Sequence, residues 1–160
     1  MKQRIKIDYR TMHASLTRVI GLLSLCWLTA CSANGQPPQF EQTRLKVGGQ
    51  TVHVEIADSD DTRQYGLMNR QYLPFNEGMW FVFGFEFTHC MWMKNTLIDL
   101  DVAFVNNRYE IVNIEAMQAG STEIHCANEP VSYALEMNKG WFAQHDVTPG
   151  VKVHMLGAGQ

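Results

Sequence analysis

Arg44-Leu45-Lys46-Val47-Gly48-Gly49-Gln50-Thr51-Val52-His53-Val54-Glu55-Ile56 decides the class of fold. Val52, Val54 and Ile56 alternate with Thr51, His53 and Glu55, the period-two pattern of a strand with one buried face. Gly48-Gly49 joins this run to residues 44–47, and a Gly-Gly pair supplies the positive φ values that a two-residue hairpin needs. The stretch therefore predicts an antiparallel hairpin at the start of the folded domain.

Downstream, Asp58-Ser59-Asp60-Asp61 offers an N-cap and first-turn acids for a short helix ending near Met68, with Tyr65 and Met68 three apart as its buried stripe. Pro74 and Gly78 bracket a loop. Strands are predicted over 79–83, 90–93 and 100–105, the last meeting 109–114 across an Asn106-Asn107 turn. Residues 131–137 and 151–156 read as further strands, and 140–145 as about one turn of helix. Neither an internal repeat nor a glycine-rich phosphate loop is present. The expected fold is α+β: a single compact β-rich domain over 43–160, with mostly antiparallel strands, short helices and a small barrel as one way to close the sheet.

Upstream, Lys2, Arg4, Lys6, Arg10 and Arg18 stand against one acid, Asp8, and an apolar run of about nine residues follows from Val19. That is too short for a bilayer, which takes roughly 20 apolar residues. The run ends in Leu28-Thr29-Ala30-Cys31, which looks like a lipobox. Residues 1–30 thus read as a lipoprotein signal peptide, Cys31 as the lipidated residue, and 31–42, polar with Pro37-Pro38, as a flexible tether. Retention as an uncleaved anchor, or ordinary cleavage after Ala33, are the competing readings. Ser32 after the cysteine resembles lipoproteins sorted to the outer membrane, in a double-membraned host. Processing leaves eight basic against fifteen acidic residues, a net charge of −7. Such a domain repels phosphate backbones and carries no basic stripe, so nucleic acid is not an expected partner.

With Cys31 lipidated, two of the later cysteines remain, each after a histidine: His89-Cys90 and His125-Cys126. In an oxidising compartment the simplest reading is a Cys90–Cys126 disulfide closing a loop of about 36 residues. Free thiols or a two-Cys, two-His metal site are the alternatives, the latter opposed because neighbouring strand residues face opposite ways. The seven methionines after residue 31 raise a copper carrier. Met91 and Met93 would present two sulfurs on one strand face beside His89. Core filling is the plainer role for methionine. Asp99 and Asp101 share a face at i, i+2, as solvated strand residues also do. No nucleophile–base set is visible, so neither catalysis nor a cofactor is expected.

The densest polar cluster is Trp92-Met93-Lys94-Asn95-Thr96. A Lys-Asn-Thr turn is by default turn chemistry, since Asn tolerates the left-handed conformation. A partly buried Lys94 would instead need a carboxylate, which Asp101 or Glu136 could provide.

Four ordered blocks, Arg63–Arg70, Glu77–Phe83, Met91–Thr96 with Leu100–Phe104, and Tyr133–Trp141, resemble the domain of unknown function 192 family, also called uncharacterised protein family 0127, over residues 43–156. The resemblance implies a compact β-rich domain, often exported, without a settled activity. It places signature positions at Arg63, Gly66, Met68, Gly78, Met79, Trp92, Met93, Lys94, Asn95, Thr96, Asp101, Glu136 and Gly140. Asp99 departs from it, where many members carry proline. The His-Cys pairs resemble a subgroup of the family. The functional expectation is a lipid-anchored, periplasm-facing binding or accessory domain. Its polar pocket would be drawn from Arg63, Trp92, Lys94, Asn95, Thr96, Asp101 and Glu136, for a small molecule or an envelope protein. A copper carrier using His89, Met91 and Met93, and an envelope enzyme of undefined reaction, are the alternatives.

Overall fold

The structure is a computed structural model that describes residues 36–157. The predicted signal peptide, the predicted lipidation site Cys31 and the first part of the predicted tether lie outside the described residues.

The predicted hairpin opens the domain. β1 (Glu41–Val47) and β2 (Gln50–Ala57) pair in register from Glu41↔Ile56 to Val47↔Gln50, and Gly48 and Gly49 turn between them at φ 55° and 86°. Both central residues of the turn are left-handed, which matches the twist of the flanking strands. Next comes helix α1 (Asp60–Tyr65), capped by Ser59, whose side chain accepts from the Thr62 N–H while Thr62 Oγ1 accepts from the Ser59 N–H. The helix stops before Met68 because Gly66, at φ 51°, turns the backbone out of the helical region.

β3 (Glu77–Phe87) runs four residues beyond the apolar core predicted for it, and β4 (Cys90–Met91) is only two residues long. β5 (Leu100–Val105) has its predicted bounds and pairs antiparallel with β6 (Ile111–Met117). The turn between them is wider than Asn106-Asn107: Asn106 Oδ1 accepts from the Arg108 and Glu110 N–H groups, and Tyr109 takes φ 62°. The remaining elements are β7 (His125–Cys126), β8 (Val131–Asn138), α2 (Trp141–Gln144) and β9 (Val153–Gly157).

Seven strands form one sheet in the order β6-β5-β8-β3-β2-β1-β9, and β4 with β7 form a separate ribbon. The pairs are antiparallel except β2–β3, where α1 and the loop after it carry the chain back to the same end of the sheet. The sheet does not close into a barrel. Its edges touch at one place, the Glu110↔Lys152 bridge, with Val153 N donating to Tyr109 O at 2.8 Å, and β6 and β9 do not otherwise pair.

All six residues of β5 are buried because each face of the sheet has its own core. Ala103 and Val105 join Trp80, Leu135, Met137 and Trp141 on one face; Leu100, Val102 and Phe104 join Met79, Phe81 and Ala134 on the other. Burial on both faces explains why the apolar residues of β5 do not simply alternate with exposed polar ones; Asp101 is buried as well. Gly78 lets β3 and β8 approach: a Cβ there would collide with the Glu136 carbonyl and the Met137 sulfur.

Candidate cleft site

On the second face, a cleft of about 330 Å³ opens between α1 with its following turn and the segment 90–96. Tyr65, Met68, Phe81, Phe83, Met91 and Trp92 supply much of its apolar wall, and Arg63, Thr96 and Glu136 line it too. The volume is at the small end of ligand pockets.

Backbone geometry holds the two walls. Arg63 Nη1 donates to the Val82 carbonyl at 2.8 Å and to the Asp58 carbonyl, and Nη2 meets Asp60 at 2.5 Å. Its guanidinium therefore clamps α1 onto β3. Asn95 sits at φ 62°, and its carbonyl accepts from the Asn69 N–H at 2.9 Å, which ties the turn after α1 to the turn after Trp92. Left-handed Asn is a turn device, so this residue shapes the wall.

Glu136 is the unusual member. It is buried at 4% exposure, and burial, opposed by neither a hydrogen bond nor a nearby cation, pushes its carboxyl up to about 8. Below that value the side chain is mostly a neutral acid: an O–H donor and a carbonyl acceptor in the lining of the cleft.

The other predicted residues are distributed differently. Lys94 is exposed, with Nζ 5.3 Å from the centroid of the Trp92 ring, and forms no ion pair among the described residues. The pairing of Lys94 with Asp101 or Glu136 is thus not made. Solvation and the indole face satisfy the ammonium instead. Asp101 is opposite Met137 in β8, whereas Glu136 is opposite Val102 in β5, and neighbouring positions on a strand face opposite sides. Asp101 consequently lies on the far side of the sheet from the cleft. Its Oδ2 accepts the Gly140 N–H at 2.8 Å, and burial raises its pKa against the lowering effect of that bond.

Asp99 and Asp101 do not share a strand face, because β5 begins at Leu100. Asp99 is exposed, accepts the Ala119 N–H at 2.8 Å and faces Lys139 at 3.6 Å, which together hold its carboxyl below the usual range. A hydrogen-bonded acid fixes the turn where relatives are expected to use proline.

Cys90 and Cys126 are directly paired residues of the β4–β7 ribbon and form a disulfide. Cys90 stands in the cleft wall. The methionine pair dissolves: the strand ends at Met91, so Met91-x-Met93 is not a strand face, and Met93 is buried at 1% in the core. His89 stacks on Phe83 at 3.9 Å between centroids, with Nε2 3.1 Å from the Phe85 carbonyl.

The apolar walls were the part missed by reasoning from clusters of polar residues. The available signal was the Tyr65–Met68 spacing, which was read as a core stripe; both side chains are half-buried at the cleft.

Solved structures close in fold include two. One is a protein of Sinorhizobium meliloti 1021 described as a putative transcription regulator, 32% identical, with a TM-score of 0.71, covering 75% of this chain and 98% of that one. The other is a protein of unknown function from Novosphingobium aromaticivorans DSM 12444, 29% identical, with a TM-score of 0.70, covering 72% of this chain and 86% of that one. Comparison with curated proteins finds no match. The family model described as an uncharacterized ACR, domain of unknown function 192, matches residues 43–155. The chain belongs to the domain of unknown function 192 family.

Proposed function

We propose that this protein is a lipid-anchored, periplasm-facing binding domain whose cleft takes a small uncharged molecule bearing a hydrogen-bond acceptor. Glu136 is the observation that carries the reading. A carboxyl with no partner costs stability wherever it is buried, unless a ligand uses it. As a neutral acid it donates to a carbonyl, ether or hydroxyl oxygen, while Trp92, Phe81, Phe83 and Met91 cover the apolar part of the ligand. Arg63 spends three of its five N–H donors on holding the wall. Anchoring rests on the lipobox at Cys31, and metabolic palmitate labelling lost in Cys31→Ala tests it. The acidic charge of the processed chain disfavours nucleic acid as a ligand, and the description of the S. meliloti protein is not extended to this one.

A fragment screen by ligand-observed NMR tests the cleft. Fragments carrying a carbonyl or ether on an apolar ring are expected to bind, and to be lost in both Glu136→Leu and Trp92→Ala. Fragments binding both variants as they bind the parent would contradict the reading.

A further inference from the structure

The sheet ends in an apolar rim that nothing among the described residues covers. Beyond Val82 the β3–β8 register shifts, Gly84 takes φ 76°, and the tip of β3 carries Phe85 and Phe87 at 66% and 60% exposure. Both rings pack around His89, which stacks on Phe83 in the cleft wall. The intervening acid is turned away, with Glu86 Oε2 accepting from Asn107 Nδ2 at 3.2 Å. Trp92, which lines the cleft together with Phe83, is 49% exposed, with Lys94 over its ring. Ile124, 66% exposed, precedes the His125 that pairs with Met91. These four, of nine large apolar residues exposed among the described residues, adjoin the cleft wall, and apolar side chains exposed beside a cleft mark a contact surface.

The chain's own path says what that contact is. The described tether enters the domain at Phe40, whose ring lies 6.4 Å from Tyr65, another residue of the same cleft wall. Eight residues, nine Cα–Cα steps, lie between Cys31 and Phe40. They reach at most about 30 Å when fully extended. A domain lipidated at Cys31 is therefore held within that distance of the bilayer, attached on the side that carries the aromatic rim. Paired phenylalanines, a tryptophan and a neighbouring lysine are the side chains that settle at a membrane interface: rings at the acyl boundary, ammonium among the phosphates.

We infer that the rim of Phe85, Phe87 and Trp92 docks on the lipid surface, so that the cleft opens against the bilayer. The orientation rests on lipidation at Cys31; the composition of the rim does not.

The test uses the full chain isolated from membranes and reconstituted into phosphatidylcholine vesicles with a minority of phosphatidylglycerol. One set of vesicles has brominated acyl chains, which quench tryptophan. Trp80 and Trp141 are buried, and a Trp92→Phe chain reports every tryptophan except Trp92. Docking predicts quenching that disappears in Trp92→Phe. Removing two phenylalanines from the interface in Phe85→Ser/Phe87→Ser lowers occupancy of the docked state by at least about tenfold, and quenching falls with it. A chain that stays with the vesicles while Trp92 is indifferent to bromine overturns the docking and leaves the anchor standing; self-association through the rim would give this result. A chain that does not stay with the vesicles overturns the anchor and the docking together.

Discussion

Asp101 and Glu136 belong to neighbouring strands, yet their carboxyls lie on opposite faces of the sheet, since Asp101 is opposite Met137 and Glu136 is opposite Val102. One residue of register separates two roles. Asp101 accepts the Gly140 N–H and fixes the entry to α2. Glu136 accepts no such bond among the described residues and lines the cleft.

Glu136 should make stability fall as pH rises. Its folded pKa, about 8, lies above the ordinary 4.5, so between these values the folded state holds a proton that the unfolded state has released. The contribution is full below pH 4.5 and declines by up to roughly 1.4 kcal/mol per pH unit until about pH 8. Glu136→Gln, always neutral, should match the parent near pH 4.5 and exceed it increasingly toward pH 8. Urea unfolding at four or five pH values would reveal the divergence; parallel curves would show that the carboxyl is solvated.

Asp101→Ala should destabilise the fold without touching the cleft. It leaves the Gly140 N–H, in an exposed turn, without its protein acceptor, at a cost of about 1 kcal/mol. Fragment binding should remain at the parent's level. Loss of binding in a folded Asp101→Ala protein would mean that the two faces are coupled.

Gly78→Ala should be among the most damaging single substitutions. The added methyl meets the Glu136 carbonyl and the Met137 sulfur, so two central strands must part. A loss of about 3 kcal/mol or more is expected, visible as a lowered urea midpoint or as insoluble protein.

Reducing the Cys90–Cys126 disulfide should cost about 4 kcal/mol on the chain-entropy model, because it closes a separation of 36 residues. The same stability loss should appear in Cys90→Ala/Cys126→Ala. Because the two-residue ribbon of β4 and β7 has little else to hold it, amide exchange at Met91 and His125 should rise more than at Val102.

Much of the fold was legible in local patterns. Gly48-Gly49 between alternating runs marks a turn that few other residue pairs allow, and Leu100–Val105 is apolar apart from Asp101 because both of its faces are covered. The parallel β2–β3 pairing was not legible, since it depends on where α1 returns the chain. β7 was missed because two residues carry no period. The site was legible as a list of residues and not as a place. Trp92 through Thr96 are contiguous in sequence, but Trp92 and Thr96 face the cleft while Lys94 faces solvent and Asn95 shapes a turn. Register alone separates Asp101 from Glu136, and register is set by long-range pairing.

The most direct test of the cleft as a binding site uses methionine methyl groups as probes. Met68 and Met91 line the cleft, whereas Met117 and Met137 are fully buried elsewhere. In protein labelled with ¹³C at methionine methyls, a fragment that binds should shift the Met68 and Met91 signals. Those of Met117 and Met137 should stay in place, and Glu136→Leu should abolish the shifts. Binding fragments that move only Met137, or that leave Met68 and Met91 unmoved, would contradict the account.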